Sequence, residues 1–162
     1  MKILLWFICF GALPGLLRAQ DPGMEPIGIL EVALIFATND DPAVAGGATR
    51  ELSEEEEARL HAIGKLDFKE YRLMGRDRPE LLKGYENWAT PLRPSKEILV
   101  SFQPIKRSGD DRVQIVLEYW QSKRKIFSVN PTLTVGKTLY LLGPEWRKGR
   151  MVLAIKVDPL KP

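Results

Sequence analysis

The stretch that decides the fold is "ILVSFQPIKRSGDDRVQIVLEYW", Ile98–Trp120. Ile98, Val100 and Phe102 alternate with more polar residues, and Val113, Ile115, Leu117 and Tyr119 do the same on the return. Alternation at period two is the signature of a strand with one buried face. Ser108-Gly109-Asp110-Asp111 supplies turn residues between the two runs, so the segment reads as a β-hairpin. Pro104 lacks a backbone donor, which marks an edge or an end of its strand.

The same pattern extends in both directions. Leu30, Val32, Leu34 and Phe36 alternate, and their neighbours Glu31, Ala33, Ile35 and Ala37 are also mostly apolar. A strand apolar on both faces is covered on both, which places it centrally in its sheet. Asn39–Thr49 reads as a loop. Ser53 followed by Glu56 is a capping-box pair, and Glu54–Glu57 puts negative charge where a helix dipole favours it. Leu60 and Ile63 form a narrow apolar stripe, and Gly64 is the expected end of this short helix. Phe68–Met74 reads as a strand, and Gly75–Lys96, with its three prolines, as a long irregular segment. Ser122–Lys125 turns into a strand at Ile126–Val129, and Asn130-Pro131 breaks it before Leu133–Val135. Gly136-Lys137 is a turn before strands at Thr138–Leu142 and Met151–Val157. The expectation is a mainly β domain, sandwich-like or a partly open barrel, of about seven or eight strands. One short helix is inserted after the first strand. The domain spans residues 27–158, with a flexible lead-in at 20–26 and a tail at 159–162.

The N-terminus carries an address. Lys2 precedes the apolar run Ile3–Leu17, which ends in Leu17-Arg18-Ala19-Gln20. A charged start, an apolar middle and a small residue at the exit read as a secretory signal peptide over residues 1–19. Cleavage follows Ala19, with Gln20 the alternative last residue; the run is shorter than the ~20 residues a spanning helix needs. An uncleaved leader would instead serve as an anchor. Cys9, the only cysteine, lies in this leader, so the mature chain would have no disulfide and would depend on its apolar core. The 162 residues hold 24 basic and 21 acidic side chains. Losing Lys2 and Arg18 leaves 22 against 21, a net charge of about +1. That balance does not point to nucleic acid, which calls for a strong basic excess.

"TLTVGKTLYLLGPEWRKGRMVLAIKV", Thr132–Val157, resembles the ending of small exported bacterial proteins. Those finish with a strand, a glycine turn, Leu-Gly-Pro and another strand. The stretch from Gly136 through Thr138 to Gly143 is also similar to the strand-glycine-strand-glycine segment of outer-membrane secretin channels. The chain is too short to contribute a secretin barrel. The resemblance implies an envelope setting and transfers no functional residue.

Catalytic and metal chemistry find little support. A Ser-His-acid set needs a histidine, and His61 stands alone on the expected helix, with no Gly-x-Ser-x-Gly elbow. One imidazole is too few for zinc, and Gly46-Gly47 lacks the lysine and hydroxyl of a phosphate loop. Asp40, Asp41, Asp110 and Asp111 sit beside turn residues and read as turn formers ahead of glycosidase acids or calcium ligands. We therefore expect no enzyme, no cofactor and no metal.

The aromatic residues carry the binding reading. Trp88 lies in "YENWATPLRP", Trp120 ends a strand, and Trp146 falls in what reads as a turn, Gly143–Gly149. Trp120 faces away from Val113, Ile115 and Leu117, and is followed by Lys123-Arg124-Lys125. Trp146 is followed by Arg147. Rings beside charged groups serve protein interfaces and sugar platforms, or else fold over a core as lids. The expected function is a non-catalytic exported module. It would contact an envelope or extracellular protein through Trp146, Arg147, Tyr140, Trp120 and Trp88, or through a free edge strand near Pro104 or in the C-terminal hairpin. The alternative is a carbohydrate or cell-wall binding module using Trp120, Trp146 and Tyr140, which needs two or three rings on one coplanar face.

Overall fold

The computed structural model describes residues 21–160. The leader reading of residues 1–19, including Cys9, lies outside them. No helix among the described residues is long and apolar enough to cross a membrane.

Ten strands, all antiparallel in their pairings, form two sheets. They are β1 (Pro26–Thr38), β2 (Glu70–Asp77), β3 (Glu80–Leu82), β4 (Asn87–Ala89) and β5 (Ile98–Ser108), followed by β6 (Arg112–Gln121), β7 (Arg124–Val129), β8 (Thr132–Thr134), β9 (Thr138–Trp146) and β10 (Gly149–Asp158). The first sheet runs β2-β1-β10-β9, with β3 also on β1; the second runs β4-β5-β6-β7, with β8 also on β6. The fold is mainly β and sandwich-like, not a closed barrel. The two additional short strands, β3 and β4, lie in the segment expected to be irregular. Three residues between prolines and charges carry too little periodicity to announce a strand.

Alternation assigns the faces as expected. Leu30, Val32 and Leu34 of β1 join Val100, Phe102, Ile115, Leu117 and Tyr119 in the core between the sheets. Ala33, Ile35 and Ala37 point the other way, into a second cluster with Leu52, Leu60, Leu66 and Tyr71. This outer layer is carried by α1 (Glu54–His61). The capping box forms: the Glu56 N–H donates to Ser53 Oγ and the Ser53 N–H to the Glu56 carboxylate, both at 3.3 Å. The helix stops at His61, three residues before Gly64, and Ile63 is exposed rather than part of a buried stripe. Leu60 is its one buried residue, so only a single turn is held against the sheet. Arg76 of β2 ties the layer down by bridging Glu31 of β1 at 3.0 Å and Glu56 of α1 at 2.7 Å. Burial pushes the Glu56 carboxyl up, but hydrogen bonds from Arg76 and Ser53 outweigh it and hold the group below the usual range.

Two further expectations are corrected. The lead-in is fixed, at least from Asp21 onward: Asp21 caps a 3-10 turn at Pro22–Met24 and accepts a hydrogen bond from the Tyr85 hydroxyl. Gly84 and Lys83 donate backbone N–H groups to Gly23 and Glu25, at 3.0 and 2.9 Å. Also, no turn spans Gly143–Gly149. β9 continues to Trp146, and only Arg147-Lys148 connects it to β10. Glu145 pairs with Arg150 and Leu142 with Val152, so Gly143 and Pro144 together face Met151. The glycine and proline that read as turn residues form a bulge, which an edge strand tolerates. Gly149 is required where it stands: a Cβ there would lie 2.4 Å from the Ala37 carbonyl oxygen and 2.6 Å from the Phe36 ring.

Candidate functional site

The five expected site residues fall in three places. Trp88 of β4 and Trp120 of β6 meet on the outer face of the second sheet, with ring centroids 5.9 Å apart and planes inclined at 54°. Trp88 pairs with Ser101, Ser101 with Glu118, and Trp120 with Leu99. All therefore lie on the face opposite the core, as parity required. Trp120 is half-buried and Trp88 is 40% exposed. Nothing among the described residues packs over this face in the way α1 covers the first sheet.

Glu118 organises the site. Its carboxylate accepts the indole N–H of Trp120 at 3.0 Å and the Lys125 ammonium at 2.9 Å. The Lys125 bond, supported by that of Trp120, outweighs the upward push of burial and holds the Glu118 carboxyl below its usual range. Lys125 also sits 5.7 Å from the Trp120 ring centroid. The ring is thus fixed by an acid two residues earlier on the same face. That acid was legible in the sequence through its period-two spacing, yet was not singled out. Ser122 and Lys123 adopt left-handed φ angles of 49° and 65°, making the tight turn into β7 without a glycine. Lys123 and Arg124 make no ion pair among the described residues. The face therefore presents two tryptophans, Leu99 and Val116 beside a basic rim.

Trp146 is elsewhere. Its half-buried ring meets Phe36 edge-on at 5.5 Å, with the Arg147 guanidinium 4.2 Å above it. Arg147 donates to the Val44 carbonyl, and buried Thr38 donates to the Lys148 carbonyl at 2.6 Å. Of the two readings of this ring, the geometry supports a lid on the end of the core. Tyr140 lies on the opposite face of β9, half-buried against the α1 layer, and burial pushes its phenol up.

The strand edges are as follows. β9 is an edge of the first sheet. Pro104 lies past Phe102, the last β5 residue paired with β4, where β5 bonds only to β6. It breaks the register there, and β5 nevertheless continues to Ser108.

The weaker catalytic candidates have structural partners. Asp41 accepts the Ala43 N–H at 2.8 Å to cap a 3-10 turn, and Asp110 and Asp111 face Arg107 and Arg112. His61 Nδ1 lies 2.8 Å from Asp67, both exposed, with the imidazole edge-on to Tyr71. No family model, curated protein or solved structure matches the chain.

Proposed function

We propose that the chain is a non-catalytic binding module of the bacterial envelope or exterior that holds a protein partner against the outer face of the second sheet. The observation that carries the reading is the Trp88–Trp120 pair, mutually packed on a sheet face left uncovered. Large rings of low conformational freedom surrounded by polar groups are the usual anchors of protein contacts. The unpaired Lys123 and Arg124 favour a partner with acidic side chains around an apolar centre. The envelope setting rests on the leader and on the likeness of the C-terminal strands to exported proteins.

The carbohydrate reading is supported less well. A sugar platform needs coplanar rings, and these two are inclined at 54°. The test is a photo-crosslinking residue at position 116, on the same outer face, expressed in the native host, with one at exposed Leu142 as control. The expected result is one protein adduct at position 116, absent at 142 and reduced by Trp120→Ala. Equal labelling at both positions, or loss of labelling only on adding cell-wall glycan, would reject the protein-contact reading.

A further inference from the structure

A second site lies away from the tryptophan face. A groove of about 590 Å³ runs along β2, walled by Ala48 and Arg50 on one side and by Pro91 and Arg93 on the other, with Leu73–Arg76 as its floor. Its charged lining residues are Arg50, Arg76 and Arg93, with no acid among them.

Each arginine has a fixed base. Arg50 is bridged to β2 through its backbone, donating to the Leu73 carbonyl at 3.0 Å and accepting the Leu73 N–H at 2.7 Å. Its guanidinium makes no hydrogen bond or ion pair among the described residues. Arg76 is held by Glu31 and Glu56. Arg93 is held by Asp77 at 3.0 Å, and Asp77, largely buried, also accepts the Thr90 N–H at 2.7 Å. The groove is narrowed by Gly75. A Cβ there would lie 2.0 Å from the Pro91 carbonyl oxygen, so only glycine lets this wall approach the strand.

Arg76 has both terminal nitrogens on protein carboxylates and Arg93 has one, whereas Arg50 has all its donors available. An arginine fork matches the paired oxygens of a carboxylate or phosphate. The geometry points to an oxyanion-binding site in this groove, with Arg50 as the primary contact and the remaining terminal nitrogen of Arg93 as the second, while Arg76 is held in the wall by Glu31 and Glu56. The ligand class is a compact dianion, either a phosphoryl group or a dicarboxylate.

The probes are inorganic phosphate and succinate, titrated separately into the 15N-labelled protein at low salt. Saturable shifts of the Arg50, Leu73 and Arg76 amides are expected with at least one of them. Phosphate alone assigns a phosphoryl ligand, succinate alone a dicarboxylate, and both a general oxyanion cradle. Arg50→Gln keeps the backbone bridge to Leu73 and is expected to weaken binding about tenfold or more without changing the melting temperature. Arg93→Gln serves as the second variant should Arg50→Gln unfold, and Lys106→Gln on the other sheet should have no effect. Absence of shifts with both anions overturns the site, as does unchanged affinity in the arginine variants.

Discussion

The outer faces of the two sheets have been treated differently. On the first, Ala33, Ile35, Ala37, Val152 and Ala154 lie with Tyr71 of β2 beneath Leu52, Leu60 and Leu66 and are nearly all excluded from water. On the second, Leu99, Val116 and Trp120 remain half-exposed, and only Ser101 is buried, between its neighbours Trp88 and Glu118. Small and β-branched residues make a surface that another layer can approach closely. Tryptophans held by an ion pair make one that stays folded while bare.

The comparison is broken most sharply in the core that both faces share. Leu117→Ala is expected to cost roughly 2–5 kcal/mol, toward the upper end, because rigid sheets surround the fully buried side chain and cannot collapse onto the cavity. Denaturant unfolding measures it; a change below about 0.5 kcal/mol would contradict the burial. Leu60→Ala removes the same atoms from the covering layer. α1 is eight residues long and attached through little else, so it can settle into the space left behind. A cost near the lower end, about 2 kcal/mol, is expected, with faster amide exchange confined to residues 50–66. Equal costs for the two leucines would mean that the α1 layer is as rigid as the sandwich.

These differences were unequally legible in the sequence. The continuous apolar run of β1 announced a strand covered on both sides, and the alternation in β5 and β6 announced one face in and one out, because each signal is local and periodic. The helix and its cap were equally local. Pro144 was misread because a proline after glycine has the same appearance in a turn and in a bulge, and only the pairing with β10 distinguishes them. The meeting of Trp88 with Trp120 spans 32 positions and depends on β4 pairing with β5, which three residues could not signal. The arginine groove gathers residues from three separated segments, and no spacing rule connects them.

Acid sharpens the contrast between the faces. The folded Glu56 carboxyl is held below its usual range, so the unfolded chain takes up this proton at higher pH than the folded one. The stability it contributes is complete above about pH 4.3, the ordinary glutamate value, and is lost as pH falls through the folded value. Melting temperature should therefore fall on acidification below that point, and Glu56→Gln should flatten the slope. An unchanged slope would show that the tie from Arg76 to α1 carries no proton linkage. Glu118 has the same sign, and its protonation would release Trp120 and Lys125 on the bare face.

The smallest expected effect is the most informative about function. Trp88 is the more exposed ring of the pair, its edge strand β4 has three residues, and its one aromatic neighbour is Trp120. If the second sheet's outer face is kept bare for a partner, removing this ring takes little from the folded state. Trp88→Ala should then change unfolding free energy by only about 0.5 kcal/mol, the range of ordinary surface substitutions. The same change should abolish most of the crosslinking through position 116, because aromatic anchors often contribute 2 kcal/mol or more to a contact. The competing account is that the two indoles shield Ser101 and Leu99 and so act for the second sheet as α1 does for the first. Under that account Trp88→Ala lowers the melting temperature by several degrees, as Leu60→Ala does, while partner capture per folded molecule is unchanged. Measuring stability and capture on the same variant separates a surface held for binding from a cover.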